Sequence, residues 1–346
     1  MHAIRGAEPA FATKLDFLSQ AGAYDPRPRE VLRRETHMSW VFLAGDRVYK
    51  LKKPVRFPYL DFSTLAKREA ACRAELRLNR RLAPDIYLDV VPLTKSNGVL
   101  SIGGTGTPAD WLVAMKRLDE HYMLDRMIEE GRLTLGQLDR LVAALSRFYH
   151  SATPVFLSPA VHLADWARSL NYNRRVLLDR RFQIPAGLVH RVDLAQRRYL
   201  QRNSNHISAR LRRRRIVDGH GDLRPEHIWL DDKVRIIDCL EFNPRLRVVD
   251  PFDEIAFLSL ECERLGAAWA GDYLRRRMSH ALRDGPANEL FTFYHCHRAT
   301  LRARLAIAHL LEENPRTPEK WPRLCAAYLD LAERSARKLE ACLRTP

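Results

Sequence analysis

The spacing of apolar residues changes character near residue 119. Before that point, the run Trp40–Leu43, the turn Ala44–Asp46 and the alternating stretch Arg47–Lys52 predict a β-hairpin. After it, apolar residues recur at helical spacing, as in residues 138–149. A chain with this order is expected to build a small sheet-rich lobe first and a larger, mostly helical lobe second. The predicted fold class is therefore α+β.

Further elements follow from the same patterns. Strands are predicted at Tyr87–Leu93 and Val99–Ile102, joined by a tight turn at Asn97-Gly98. A helix is predicted over residues 64–82, with Ser63 as its N-cap. In the second part of the chain, helices are predicted over residues 188–215, 252–282 and 286–340.

Composition excludes several classes of protein. With 46% hydrophobic and 29% charged residues, the chain is neither disordered nor fibrous. It has no apolar run long enough for a membrane span and no secretory signal pattern, so we expect neither membrane insertion nor secretion. Its six cysteines are far apart and form no CxxC pair, which is typical of reduced thiols. We therefore expect a cytoplasmic location.

The formal net charge of +16 indicates the kind of ligand that the chain attracts. Only 10 of its 58 basic residues are lysine, so the excess consists of arginine. A positive field favours anionic ligands and repels polycations. Charge alone would also suit nucleic acid, but no basic stretch is interleaved with stacking aromatics, so nucleic acid is an unlikely partner.

Residues 216–250 form one non-helical stretch between helical segments. They contain His220-x-Asp222, then His227, an apolar strand, a turn, a second strand and Asp238. Two acidic loops at the same end of a hairpin can face one site. Paired carboxylates suit a divalent ion that bridges phosphates, so Asp222 and Asp238 are candidates for such a site.

This stretch resembles the catalytic and metal-binding loops of the aminoglycoside phosphotransferase-like kinases. The kinase pattern is H-x-D-x-x-x-x-N followed by a metal-binding Asp. The segments ETHMSWVFLAGDRVYKLKKPV, LNRRLAP and HGDLRPEHI are similar to an uncharacterised subgroup of that family. Some members of the subgroup carry an additional P-loop ATPase domain, whose GxxxxGK[ST] motif does not occur in this sequence. The resemblance runs from about residue 30 to residue 340.

The resemblance implies a two-lobed protein kinase-like fold, with a small antiparallel-sheet lobe and a larger helical lobe. Residues 1–118 would form the nucleotide-binding lobe, which ends in a hinge at Val113–Leu118. In this hinge, Met115 would contact adenine. Residues 119–346 would form the helical lobe, with the catalytic and metal loops within residues 216–250.

The resemblance also implies the cofactors ATP and Mg²⁺ and a role for each residue at the site. Asp222 would be the catalytic base that accepts the proton of an acceptor hydroxyl. Asp238 would bind the ion that bridges the phosphates, and His227 stands at the position of a second metal ligand. Lys50 would pair with the α- and β-phosphates, and a helix glutamate would orient this lysine.

The sequence departs from the family pattern at two places. His227 replaces an asparagine, and an imidazole nitrogen suits softer metals than Mg²⁺. It can bind metal there, or it can hydrogen-bond Asp222 or a phosphate. No G-x-G-x-x-G precedes Lys50, so the phosphate cover would come from residues 35–39, with Thr36 and Ser39 as donors. The glycine-rich residues 103–106 are predicted to form a hairpin loop instead.

Two lysines and two glutamates are candidates for the ion pair that would bind the ATP phosphates. Lys50 and Lys52 share one face of their strand because side chains repeat every two residues. We prefer Lys50, and we prefer Glu75 to Glu69 because its spacing to Leu82 is closer to the family pattern. His220, Asp250 and Asp253 are predicted to have structural roles. Glu241 is either a third acid at the metal or the partner of an arginine.

These observations predict an ATP-dependent phosphotransferase that acts on an alcohol group of a small, neutral or anionic acceptor. The alternative is a non-catalytic, kinase-like nucleotide-binding module, which the replaced asparagine and the missing glycine-rich loop would suit. The intact pair Asp222 and Asp238 favours the enzyme.

Overall fold

The computed structural model describes residues 10–57, 59–312, 315 and 317–344. Its chain forms two compact units. The first contains the described residues up to Glu120 together with Arg235–Arg245, and the second contains His121–Val234 and the described residues from Leu246 onward. The first unit is built on an antiparallel sheet and the second is mostly helical, so the predicted α+β class is confirmed.

The first unit is organised by a six-stranded antiparallel sheet with the strand order β1-β2-β3-β8-β6-β7. A short pair, β4 and β5, forms a separate two-stranded sheet. The strands are β1 (Val31–Glu35), β2 (Ser39–Ala44), β3 (Arg47–Lys52), β4 (Arg56–Phe57), β5 (Leu60–Asp61), β6 (Tyr87–Ser96), β7 (Val99–Ile102) and β8 (Thr107–Lys116). The predicted hairpins β2-β3 and β6-β7 are both confirmed.

Two tight loops in this sheet depend on residues with unusual backbone freedom. Asn97 and Gly98 turn the β6-β7 hairpin with φ values of 49° and 85°, as the Asn-Gly signal predicts. The glycine-rich residues 103–106 connect β7 to β8 as a loop. A Cβ at Gly106 would stand 2.5 Å from the Lys95 carbonyl oxygen, so a close backbone approach explains this glycine.

The described residues of the first unit also form two α-helices, α1 (Phe11–Leu18) and α2 (Leu65–Asn79). The predicted helix over residues 64–82 is present, but its N-cap is Thr64 and not Ser63, because the Thr64 hydroxyl accepts the backbone N–H of Lys67 at 3.3 Å. The Ser63 hydroxyl instead donates to Asp61 at 2.6 Å. Helix α2 buries Glu75 completely.

The second unit contains eight helices in its described residues and four short strands occur between residues 217 and 249. The helices are α3 (Leu124–Glu129), α4 (Leu135–Ser151), α5 (Pro159–Leu177), α6 (Ala186–Arg212), α7 (Pro251–Arg264), α8 (Ala268–Ala281), α9 (Asn288–Ala308) and α10 (Lys320–Arg344). The strands are β9 (Val217–Asp218), β10 (Ile228–Leu230), β11 (Val234–Ile236, shared with the first unit) and β12 (Val248–Val249), and β9 pairs with β12.

Two predicted long helices are each divided in the structure. The region 252–282 breaks at Gly266, whose φ of 90° is open to glycine but strained for other residues. The region 286–340 breaks where Pro315 and Pro318 stand, since proline cannot continue a helix interior. The helix predicted over 188–215 is present as α6.

Apolar side chains of the second unit pack at its centre, where Phe252, Leu258 and Phe293 are fully buried. Helix α4 presents one buried face, as its spacing predicts. Among the residues that the structure describes, no helix has the length and apolar character needed to cross a membrane.

Candidate functional site

A charged cluster in the first unit joins strand β3, helix α2 and the segment that contains Asp238. Lys50 Nζ donates to Glu75 Oε1 and to Asp238 Oδ1, each at 2.8 Å. The Glu75 carboxylate is fully buried, while the Asp238 side chain is 46% exposed. Lys50 therefore links a buried acid to an acid that solvent and a ligand can reach.

The second lysine of β3 binds the same glutamate. Lys52 Nζ donates to Glu75 Oε2 at 2.6 Å and to Glu241 Oε1 at 2.5 Å. Both lysines project to one face of β3, as the period of a strand requires. Glu75 thus accepts from one lysine at each oxygen, and Glu241 is the partner of a lysine rather than of an arginine.

Burial and charge act in opposite directions on these groups. Burial opposes the charge of Lys50, but Asp238 and Glu75 outweigh it and raise its pKa well above the ordinary value. Burial likewise opposes the charge of Glu75, and the two lysines hold its pKa below the ordinary value. For Glu241, burial is the larger effect and raises the pKa. Both Lys50 and Glu75 are therefore charged at neutral pH.

The backbone of Asp238 is held in an unusual conformation by its neighbours. Its φ of 65° lies in the left-handed region, which Asp adopts more readily than most residues. The backbone N–H of Asp238 donates to the Tyr87 hydroxyl at 3.2 Å, and that of Cys239 donates to Asn79 Oδ1 at 2.8 Å. The Asn79 amide donates in turn to the Glu75 carbonyl at 2.9 Å. These contacts fix the backbone at Asp238, and the hydrogen bond from Lys50 directs its carboxylate.

The other residues predicted for the nucleotide lie elsewhere in the first unit. Glu69, the less favoured glutamate, pairs with Arg73 on the outer face of α2. Met115 lies within β8, where it is opposite Val48 and Tyr87 and 9% exposed. Residues 113–116 of the predicted hinge therefore belong to the end of strand β8.

Thr36 and Ser39 bond to each other across the β1-β2 turn. The Ser39 backbone N–H donates to Thr36 Oγ1 at 2.9 Å, and the Thr36 hydroxyl donates to the Ser39 carbonyl at 3.0 Å. Glu35, an acid at a predicted phosphate cover, is paired with Lys53. This pairing offsets the negative charge of Glu35 in that turn.

The loop that carries Asp222 is held from below by one buried glutamate. Glu254 accepts the backbone N–H groups of His220, at 3.0 Å, and of Gly221, at 2.5 Å, and it accepts the Tyr149 hydroxyl at 2.8 Å. A Cβ at Gly219 would lie 2.7 Å from Glu254 Oε2, so this approach requires glycine. Burial raises the pKa of Glu254, and the donated hydrogen bonds partly offset that effect.

Asp222 is paired with an arginine two residues further along. Arg224 Nε and Nη2 each lie 3.0 Å from Asp222 Oδ2, and the Asp222 side chain is 23% exposed. The Asp222 N–H donates to His220 Nδ1 at 3.3 Å, which agrees with the structural role predicted for His220. Burial acts to raise the pKa of Asp222, but Arg224, His227, Arg302 and His220 together outweigh it, and the pKa lies below its ordinary value. Asp222 is therefore a carboxylate at neutral pH.

His227 lies against the same loop, as one of the sequence alternatives proposed. Its Nδ1 lies 2.9 Å from the Asp222 carbonyl oxygen, and its Nε2 lies 3.2 Å from Arg224 Nη2. Arg224 Nη1 also donates to Glu226 Oε1 at 2.5 Å. The guanidinium is thus surrounded by two carboxylates and an imidazole.

Sequence reasoning missed several residues of these clusters, among them Glu254, Arg224, Tyr87 and Asn79. It named Asp250 and Asp253, which bind Arg210 and Arg298 respectively at distances between 2.6 and 2.9 Å. These two acids anchor helix α7, and Glu254 beside them reaches the loop. The sequence run that contains Asp250 and Asp253 also contains Glu254, and this third acid was the signal that could have identified it.

The donor types can be compared with the ions and ligands that the resemblance implies. Asp238 offers a partly exposed carboxylate, which is the hard oxygen donor that Mg²⁺ prefers. Lys50 offers a fixed ammonium group suited to phosphate oxygens. Residues of the Asp222 loop offer a carboxylate that stays ionised beside a guanidinium. These are groups suited to binding phosphate and accepting a proton.

Comparison with known proteins identifies relatives by sequence. No protein-family model matches the chain. Uncharacterized proteins of Mycobacterium tuberculosis strain H37Rv and Mycobacterium bovis are 33% identical to it over 288 residues, which cover 82% of this chain and 56% of each relative. The chain thus spans little more than half the length of these curated relatives.

Comparison with solved structures identifies the fold. A choline kinase from Cryptosporidium parvum Iowa II matches with a TM-score of 0.54 at 9% identity, covering 92% of this chain and 91% of that one. A choline/ethanolamine kinase family protein from Mesorhizobium loti matches with a TM-score of 0.52 at 16% identity, covering 96% and 95%. A thermostable mutant of an aminoglycoside phosphotransferase matches with a TM-score of 0.52 at 12% identity, covering 95% and 98%. In its fold, the chain is similar to these choline kinase, choline/ethanolamine kinase family and aminoglycoside phosphotransferase structures.

Proposed function

We propose that the chain is an ATP-dependent phosphotransferase that transfers the γ-phosphate to a hydroxyl of a small acceptor. The observation that carries the proposal is the contact of Lys50 with both Glu75 and Asp238. It joins a phosphate-binding cation to a buried orienting acid and to an exposed metal-type ligand. A purely structural ion pair would not require Asp238 to be 46% exposed or to adopt a left-handed backbone conformation.

Each residue then has a role in one reaction. Lys50, oriented by Glu75, binds phosphate oxygens of ATP, and Thr36, Ser39 and Met115 are proposed as further nucleotide contacts. Asp222 accepts the proton of the acceptor hydroxyl. The acceptor oxygen forms a bond to the γ-phosphorus, the bond from this phosphorus to the β,γ-bridging oxygen breaks, and ADP leaves with that electron pair. Such a reaction depends mainly on positioning and charge neutralisation.

Magnesium suits the ligand that the chain offers for it. Asp238 would hold the ion through its carboxylate, and the ion when bound would neutralise phosphate charge. The contact of Asp238 with Lys50 directs the carboxylate before the ion binds. Because the backbone is fixed by Tyr87 and Asn79, the side chain does not need to be ordered on binding.

The charge of the chain favours one class of acceptor. Choline and aminoglycosides, which are named for the similar structures, are cations with hydroxyl groups. A net charge of +16 repels cations and attracts anions. We therefore propose a neutral or anionic hydroxyl compound, such as a sugar-like metabolite, as the acceptor.

The proposal is tested by following ADP formation with a panel of neutral and anionic hydroxyl compounds, with choline and an aminoglycoside as cationic comparisons. We expect turnover that needs Mg²⁺ and that falls by about 10²–10⁴-fold in Asp222→Asn, because a general base contributes that much. Asp232→Asn, an exposed acid in the turn after β10, is the matched control. An active acceptor that Asp222→Asn turns over at the wild-type rate would refute the assignment.

One observation favours a non-catalytic nucleotide-binding module instead. Both ring nitrogens of His227 make contacts within the loop, so the position that a kinase uses for a second metal ligand is engaged. A module of this kind would bind ATP with little dependence on Mg²⁺ and would not form ADP. The ADP assay with and without Mg²⁺ separates the two functions.

A further inference from the structure

Two buried amide side chains of the second unit line one small cavity. The cavity lies among helices α5, α6, α9 and α10, and its lining combines Asn173 and Gln196 with apolar residues such as Leu170 and Val192. Asn173 is 1% exposed and Gln196 is fully buried. Amides in such a place need hydrogen-bonding partners, because an unpaired buried polar group destabilises the fold.

The orientation of the Gln196 amide follows from its contacts. A backbone carbonyl only accepts, so the atom that lies 3.2 Å from the Val192 carbonyl oxygen is the amide nitrogen Nε2. The same nitrogen donates to Thr300 Oγ1 at 3.3 Å, while the Thr300 hydroxyl donates to the Cys296 carbonyl at 2.8 Å. Gln196 Oε1, on the other side of the amide, accepts no hydrogen bond within the described part of the chain. This oxygen therefore needs a donor.

Asn173 has unmet hydrogen-bonding needs of both kinds. Neither its Oδ1 nor its Nδ2 has a hydrogen-bonding partner among the residues that the structure describes. The amide nitrogen only donates and the amide oxygen only accepts. Asn173 and Gln196 line the same cavity without a direct hydrogen bond between them. A group that satisfies both amides must therefore be able to donate and to accept.

The size and the charges of the cavity restrict what can occupy it. The volume open to the centre of a water-sized sphere is about 10 Å³, and roughly 10–15 Å³ is enough for one water molecule. An organic ligand does not fit this space. A cation would lack a carboxylate partner, because Asp193, the acid of the lining, is bound by Arg197 at 2.8 Å and lies 3.7 Å from Arg174. A single water molecule agrees with both the size and the charges.

We propose that this cavity binds one ordered water molecule, which joins helix α5 to helix α6. The water accepts a hydrogen bond from Asn173 Nδ2 and donates one to Gln196 Oε1, and Thr300 Oγ1 in the same lining offers a further acceptor. Buried waters with about two to four such partners are part of a protein's structure. The site lies within the second unit and does not depend on the proposed phosphotransferase activity.

The direct test is a crystal structure of the wild-type chain at a resolution that shows ordered water. We expect one solvent peak at about 2.7–3.2 Å from both Asn173 Nδ2 and Gln196 Oε1, which is the range of such hydrogen bonds. A direct hydrogen bond between the two amides, or a cavity without a solvent peak, would overturn the inference. Density for a metal ion or for a larger ligand would overturn it as well.

A double-mutant cycle tests the shared water in solution. Asn173→Leu and Gln196→Met keep similar side-chain shapes, but each removes one partner of the water and leaves the other amide unpaired. Each single variant should lower the Tm by roughly 2–4 °C. The double variant should lose less than the sum of the two, because neither amide remains. Asn205→Leu, at an exposed asparagine of α6, is the control and should leave the Tm near the wild-type value. Losses that simply add would overturn the inference.

Discussion

Lys52 donates to Oε2 of Glu75, the carboxylate oxygen that Lys50 leaves open. The Lys52 side chain is 1% exposed and its second partner, Glu241, is 9% exposed. Lys50 reaches an exposed acid, whereas Lys52 ends between two buried ones. The two lysines of β3 therefore have different roles. Lys50 is available to a ligand, whereas Lys52 neutralises the buried carboxylates of Glu75 and Glu241.

Lys52→Met should destabilise the chain strongly, because it leaves the carboxylates of Glu75 and Glu241 buried and short of a partner. We expect a loss of about 3–5 kcal/mol in the free energy of unfolding, measured by denaturant titration. Lys67→Met, which removes an exposed pair with Asp61, should cost at most about 1 kcal/mol. Equal losses in the two variants would contradict the account.

Gly219→Ala should disturb the loop that carries Asp222. The new Cβ would stand 2.5 Å from Val249 Cγ2 and 2.7 Å from Glu254 Oε2, neither of which is free to retreat in a packed interior. We expect a loss of about 1–3 kcal/mol in stability by thermal unfolding. Gly136→Ala, where nothing lies within 4 Å in helix α4, should be neutral or stabilising by up to about 1 kcal/mol. A harmless Gly219→Ala would show that Glu254 does not hold the loop as described.

The pH dependence of ATP consumption should report the contact between Asp222 and Arg224. Because the folded pKa of Asp222 is lowered, its stabilising contribution is complete above the ordinary value of 3.8 and is lost as pH falls through the lower folded pKa. The wild-type rate should therefore not fall through protonation of Asp222 between neutral pH and pH 3.8. Replacing Arg224 with Gln removes the largest of the charges that lower the pKa of Asp222. We therefore expect the rate of this variant to fall at a higher pH than the wild-type rate as the solution is acidified. A pH–rate profile identical to wild type would contradict this prediction.

Much of the fold was predictable from local patterns. The hairpin β2-β3 followed from alternation and a turn, and strand period placed Lys50 and Lys52 on one face. The resemblance to the family favoured Glu75 over Glu69, and the structure places Glu75 with the lysines and Glu69 with Arg73. The role of Glu75 in orienting a phosphate-binding lysine stays a prediction.

The remaining features depend on packing between distant parts of the chain. Local patterns do not show that Glu75 is shared by two lysines, or that Glu241 is the second partner of Lys52. Glu254 was missed because it follows Asp250 and Asp253, and only distant partners distinguish the three acids. Glu254 accepts backbone N–H groups of the loop that carries Asp222, whereas the other two acids bind arginines. The left-handed conformation of Asp238 depends on Tyr87, which is far away in sequence.

The most direct test of the central claim is calorimetry of ATP binding, with and without Mg²⁺, on the wild type and on Asp238→Asn. Asparagine is a better replacement than alanine because it also tolerates the left-handed φ of 65°. The substitution therefore preserves the backbone and removes only the charge. We expect binding that is strengthened by Mg²⁺ in the wild type and is insensitive to Mg²⁺ in the variant. Binding that ignores both Mg²⁺ and the loss of the carboxylate would contradict it.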